Sequence, residues 1–272
     1  MRKILFIAVI LIIAGCEKQT TWDLQQEPLK LVVVDAILTD EVKTQTVKLT
    51  KTVSQLNENP LPLSGATVRL SDGDSSFILT EKPVGSGLYC TKKNFAATSA
   101  KTYSLLISAD DGIYTAKAKM IQGSAFAPLR YSKNKNNQLY HIDWIANTYN
   151  AEKSAMFEII IDWSKLPAYS GTDSSLCTAK LFYYTLTTLD VSEIFAPELE
   201  KISFPAGSII SESRYSLSPD FETYLRAMLS ETNWRGGLFD SAPASVPTNL
   251  SEGATGFFAA CAVTKLSMTV TP

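Results

Sequence analysis

The chain holds a single histidine, His141, so zinc centres built on several histidines are excluded at once. Its four cysteines never stand two residues apart, which removes the paired-cysteine spacing of structural metal sites. There is no G-x-S-x-G elbow, no glycine-rich phosphate loop and no dinucleotide fingerprint. Charged residues make up only 19% of the chain, and no basic stripe runs through it, so nucleic acid is not an expected partner. After the first fourteen residues no stretch is long and apolar enough for a membrane span.

What is present begins at the amino end. Met1-Arg2-Lys3 is followed by eleven apolar residues, 4–14, and then Gly15-Cys16. A stable membrane helix needs about 20 apolar residues, so this run fits a signal peptide that is removed. Ile13-Ala14-Gly15-Cys16 is the pattern that a lipoprotein signal peptidase reads: small residues enter the protease and the Cys16 thiol accepts diacylglycerol. Each buried acyl CH₂ contributes about 0.8 kcal/mol, so two or three chains anchor stably where one does not. Residues 1–15 are therefore expected to be cleaved, with the mature chain held to a membrane by lipid on Cys16. The side it faces stays open, because Glu17 is followed at once by Lys18 and an acidic export signal is poor. Without Arg2 and Lys3, 23 basic residues face 27 acidic ones, a net charge near −4.

Residues 16–28 are polar and read as a lipidated tether, too poor in apolar surface to offset ordering entropy. From Leu29 the chain turns to β-branched runs. Residues 29–38, 46–50, 66–70, 76–80, 88–90, 103–108 and 113–116 read as short strands, several alternating with period two. Ser71-Asp72-Gly73-Asp74 and Asp110-Asp111-Gly112 are hairpin signals between them. This spacing predicts a mainly β chain whose residues 29–122 form an immunoglobulin- or transthyretin-like antiparallel sandwich. Residues 123–128 and 132–138 read as linker and loop. A second β-rich domain, 123–272, carries strands at 140–144, 156–163, 178–189, 254–263 and 266–270. One helix is expected near 219–230: Ser218 is the N-cap, Pro219 takes the first position, and Asp220 and Glu222 favour the first turn. Phe221, Tyr224, Leu225, Met228 and Leu229 share one face and read as core packing.

The chemistry-bearing residues make no catalytic set, and no enzyme activity, cofactor or metal is expected. His141 lies beside Asp143 in an alternating strand but has no positioned serine. Asp72-Gly73-Asp74 begins like a calcium loop and lacks its distal glutamate, so it reads as a tight turn. Asp162 and Asp173 could serve a glycosidase only if geometry brought them together. Trp144, Trp163 and Trp234 could form a sugar or peptide platform, with core burial the commoner fate. Cys90, Cys177 and Cys261 are read as three buried thiols, with a Cys177–Cys261 disulfide as the alternative.

Taken in order, several segments resemble the DUF4249 lipoproteins of Bacteroidetes. After the Cys16 lipobox come residues 31–40, Pro62-Leu63-Ser64-Gly65-Ala66-Thr67-Val68, Gly87-Leu88-Tyr89, and residues 103–107 leading to Asp111-Gly112-Ile113-Tyr114. Gly237-Leu238-Phe239-Asp240, Pro243, Pro247-Thr248-Asn249-Leu250 and residues 253–258 are similar to the family's closing signature. Val34-Asp35-Ala36 departs slightly from it, since an acidic residue and a glycine are common there. The resemblance implies an envelope lipoprotein, often encoded beside a TonB-dependent outer-membrane transporter, with no catalytic residues to carry over. The role expected is a non-enzymatic accessory or binding component with an unknown ligand. A fimbrillin-like structural or adhesive subunit is the alternative, and a carbohydrate- or peptide-active enzyme stands third. In the closing segment Gly237, Phe239, Asn249, Gly256 and Phe257 are candidates for a ligand or partner loop. The competing reading of the same residues is a glycine-assisted turn and a core phenylalanine.

Overall fold

Alternation of apolar and polar residues dominates the computed structural model, which describes residues 31–53, 55, 57–110, 112–146, 153–186, 202–232 and 246–272. Seven strands come first: β1 (Val32–Thr39), β2 (Thr46–Lys51), β3 (Thr67–Ser71), β4 (Ser76–Glu81), β5 (Leu88–Cys90), β6 (Thr102–Ala109) and β7 (Gly112–Lys119). Then follow β8 (Arg130–Lys133), β9 (Tyr140–Trp144), β10 (Ala155–Asp162), β11 (Thr178–Thr185), β12 (Ile209–Ser216), the helix α1 (Pro219–Thr232), β13 (Ala254–Cys261) and β14 (Val263–Thr269). The fold is mainly β and sandwich-like.

Eight strands hydrogen-bond in the order β13-β1-β2-β5-β4-β3-β6-β7. Strand β4 turns the corner between the two layers. Residues 76–79 pair with β3, and Thr80 and Glu81 pair with β5. The pleat then sends every second side chain inward. Val32, Val34, Leu49, Val68, Leu105 and Ile107 meet in one buried cluster with Tyr89 and Phe258. Each such aliphatic side chain contributes about 1.5–3 kcal/mol through burial. Tyr89 keeps its hydroxyl satisfied inside that cluster, donating to Leu63 O at 2.8 Å and accepting from Ala66 N at 2.9 Å.

The division at residue 122 fails for one strand. β13 lies in the sequence of the second half, yet it pairs in parallel with β1, from Val32 opposite Ala254 to Thr39 opposite Cys261. It is covered on both faces, which is the usual condition of a parallel strand and the reason it reads as a near-continuous apolar run. Ala254, Phe258 and Ala260 enter the sandwich core, while Phe257, Ala259 and Cys261 face α1. After Cys261 a single residue, Ala262, separates β13 from β14, so the chain passes directly from one sheet into the next.

That next sheet is antiparallel, ordered β11-β10-β12-β14, and the β8–β9 hairpin packs across one face. The other face takes α1. Ser218 caps the helix by accepting from Phe221 N at 3.3 Å. Phe221, Leu225 and Leu229 are buried, and Phe221 lies 5.1 Å from the Phe257 ring centroid. The helix thus joins the outer face of β13 to Met156 and Tyr215 of the four-stranded sheet. Asp40 and Glu41, in the β1–β2 loop, add a polar fastening. Asp40 Oδ1 accepts from Val263 N at 2.8 Å. Glu41 pairs with Lys265 of β14 and with Lys43.

Two strands differ from the sequence reading. β8 starts at Arg130, where no strand was expected, and takes Ser132 and Lys133 from the expected loop. β12 was not anticipated, because its buried positions are Ile210, Glu212, Arg214 and Ser216. A polar inward face hides the hydrophobic period. The three described cysteines are free and buried, so the Cys177–Cys261 disulfide does not form here. No helix among the described residues is long and apolar enough to cross a membrane.

Candidate ligand cavity at the junction of the two sheets

The residues singled out from the sequence scatter. Cys16, the tether 16–28, Trp234, Gly237 and Phe239 lie outside the described residues. Gly256 and Phe257 are not in a loop: both belong to β13. Gly256 has φ +89°, and a Cβ there would meet Val34 O at 2.2 Å, so the close approach of β1 requires glycine. Phe257 is buried between Phe221 and Tyr224. Asn249 is a clasp across the sandwich seam. Its Nδ2 donates to Lys117 O of β7 at 2.9 Å and to Phe258 O of β13 at 2.7 Å, and its Oδ1 accepts from Phe258 N at 3.1 Å. The competing reading of a core phenylalanine is the one that Phe257 follows.

Other candidates are occupied by local structure. His141 Nε2 lies 2.9 Å from Asp143 Oδ1, and Ser132 Oγ donates to the same Asp143 oxygen at 2.9 Å. The serine therefore addresses the carboxylate rather than the imidazole, so His141 does not activate Ser132 as a nucleophile. His141 Nδ1 is buried without a partner. Asp162 accepts from Ser164 N at 2.8 Å and Asp173 from Ser175 N at 2.9 Å. Hydrogen bonds from Ser164 and Ser175 hold both carboxyls below the usual range, the opposite of what a glycosidase acid needs. Asp72 Oδ1 accepts from Asp74 N and Ser75 N, and Lys101 Nζ sits 3.3 Å from Asp72 and 3.0 Å from Asp74, so an ammonium holds the place of a cation. No cluster of three metal-ligating side chains occurs among the described residues. Arg130 covers the Trp144 ring at 4.9 Å, and Trp163 packs against the core. Burial, helped by Asp40, pushes the Cys261 thiol to about 12, so it stays protonated and inert at neutral pH.

The sequence reading missed a cavity with buried charged residues in its wall. A cavity of about 720 Å³ opens where the β7–β8 connection, the start of β10, the end of β12 and the first turn of α1 meet. Ser216 pins its edge. Its hydroxyl lies 3.0 Å from Ile121 O and 3.2 Å from Ala262 O, and accepts from Ala262 N at 3.2 Å. Arg214 lines the cavity while only 4% exposed. Its Nη2 donates to Lys153 O at 2.9 Å, its guanidinium carbon lies 6.0 Å from the Phe157 ring centroid, and its Nη1 has no partner. Burial lowers its pKa from the usual arginine range. Two residues earlier on the same face, Glu212 is fully buried; Oε2 accepts from Leu129 N at 3.0 Å and Oε1 is unpartnered. Burial raises its carboxyl above the usual range against the pull of the Leu129 bond. The signal that could have exposed both was there: Ile210, Glu212, Arg214 and Ser216 alternate with period two.

The sequence model of one family, described as Domain of unknown function (DUF4249), matches residues 17–267. No curated protein matches the chain. Among solved structures, the chicken CNTN1 FN1-FN3 domains align at 10% identity and a TM-score of 0.27. That alignment covers 69% of this chain and 62% of the other. No common topology follows at that score.

Proposed function

The chain belongs to the DUF4249 family, and from that premise we propose that it is an outer-membrane lipoprotein acting as a non-enzymatic accessory or binding component beside a TonB-dependent nutrient transporter. The observation that carries this reading is the apolar run 4–14 ending in Ala14-Gly15-Cys16. The family match begins at residue 17, directly after that cysteine, which supports a mature chain that starts at the lipid anchor. Intact-mass analysis of the protein from envelope fractions tests it. The expected species begins at Cys16 with a thioether-linked diacylglycerol, and Cys16→Ser leaves the membrane fraction. An uncleaved amino terminus, or a wild-type chain in the cytosolic fraction, refutes it. Co-purification of a TonB-dependent transporter after gentle detergent extraction tests the partner.

The alternative role, a fimbrillin-like subunit, needs a strand that can be removed or donated. β1 is a poor candidate: it sits between β13 and β2 and buries Val32, Val34, Ala36 and Leu38. That arrangement favours the accessory reading. Filaments in electron micrographs, abolished by deleting residues 29–38 or the last strand, would reverse the preference. Turnover on a glycan or peptide panel that falls in Asp162→Asn or His141→Ala would favour an enzyme instead.

A further inference from the structure

A buried guanidinium with an unsatisfied donor is unfavourable unless an anion approaches it. Arg214 is in that condition: Nη1 is unpartnered, and no ion pair involves it among the described residues. It does not stand alone. Pro219 and Glu222 of the first turn of α1 line the same cavity, so the positive end of a 14-residue helix opens on it. The volume of about 720 Å³ lies within the roughly 300–1,000 Å³ of small-molecule sites. A single guanidinium with the Glu222 carboxylate on the same wall suits a monoanion and disfavours a dianion such as phosphate. Ile121, Leu217 and Pro219 supply apolar wall beside the charges.

We infer that this cavity binds an organic monocarboxylate, with its carboxylate on the Arg214 guanidinium and its apolar tail against Ile121, Leu217 and Pro219. The site concerns the folded body and does not rest on the lipid anchor. Failure here leaves the Cys16 mass measurement untouched, and failure there leaves this site standing.

Ligand-observed NMR on the purified full chain provides the test, with hexanoate as probe and hexanol and inorganic phosphate as comparators. Hexanoate is expected to bind in preference to both. Arg214→Met removes the guanidinium while keeping the apolar stem, and should weaken hexanoate at least about tenfold, with hexanol unchanged. Arg214→Lys should restore part of the affinity. Ser124→Trp narrows the cavity while keeping the Arg214 side chain and should also weaken binding. It decides the matter if Arg214→Met loses its cooperative melt. Equal binding of hexanol and hexanoate, displacement of hexanoate by equimolar phosphate, or no hexanoate binding at about 10 mM overturns the inference.

Discussion

Two buried polar groups, Gln45 in the sandwich and Arg214 in the four-stranded sheet, are equally hidden and oppositely equipped. Gln45 is satisfied throughout. Its Oε1 accepts from Thr39 N at 3.1 Å, and its Nε2 donates to Thr39 O, Glu41 O and Phe95 O at 3.2, 3.1 and 2.7 Å. Arg214 makes one hydrogen bond to Lys153 O and leaves Nη1 open, and Glu212 beside it leaves Oε1 open. Complete networks hold a fold together, whereas incomplete ones weaken it and mark sites kept for another reason. All three buried charged residues among those described, Glu212, Arg214 and Glu222, lie on β12 or α1, and none lies in the sandwich. The buried charges with unpartnered atoms, Glu212 and Arg214, lie in the sheet beside the sandwich.

Breaking the sandwich should have the largest effect. Gly256→Ala drives a Cβ into Val34 O and should destabilise by about 3 kcal/mol in urea denaturation. Gly73→Ala, in an open turn where a Cβ meets nothing, should lose only about 1 kcal/mol through its positive φ. Equal losses would mean that β1 and β13 do not approach as described. Next comes the network: Gln45→Met takes the Gln45 bond from Thr39 N, Glu41 O and Phe95 O and should lose about 2 kcal/mol.

The sheet beside the sandwich should respond in the other direction. Arg214→Met is expected to be neutral or to stabilise by about 1 kcal/mol, since a half-satisfied buried charge is replaced by an apolar chain. A loss as large as that of Gln45→Met would erase the contrast between the two regions. Glu212→Gln should stabilise by about 1 kcal/mol at neutral pH. Its carboxyl is raised in the folded state, so folding loses stability as pH rises from the unfolded carboxyl value through the folded one. The gain from glutamine should therefore vanish in acid, as melting curves across pH would show.

The smallest effect lies at the fastening between the sheets. Burial opposes the charge on Glu41, but hydrogen bonds from Lys265 and Lys43 outweigh it and hold the carboxyl below its ordinary 4.5. That stability is complete above the ordinary value and is lost as pH falls through the lowered one. Glu41→Gln should remove a contribution of under about 1 kcal/mol at neutral pH and flatten this part of the acid profile. An unchanged acid profile would show that the Asp40 bond to Val263 N joins the sheets without the ion pair.

Legibility followed the same line between the regions. In β6, Tyr103, Leu105 and Ile107 announce their buried face, and in α1 the Ser218-Pro219 start and the Phe221, Leu225 and Leu229 stripe announce the helix. In β12 the buried face carries Glu212 and Arg214, so the rule that finds strands by their apolar side passes over it, and the cavity with it. The closing segment misled in another way. Residues 254–263 read as a strand, which β13 is, but the ligand-loop reading of Gly256 and Phe257 fails: the glycine admits a neighbouring backbone and the ring meets a helix.

By itself the sequence determined the strands with apolar alternation, the hairpin at Asp72-Gly73-Asp74 and the capped helix, because pleat, turn and cap are decided by residues within a few positions of one another. Only the tertiary structure decided that β13 leaves its own half to lie along β1, that Asn249 ties β7 to β13, and that Arg214 and the first turn of α1 face one cavity. Backbone hydrogen bonds join strands without reading side-chain identity, so a strand's partner is chosen by how whole faces are covered, and that choice is not written in any local pattern.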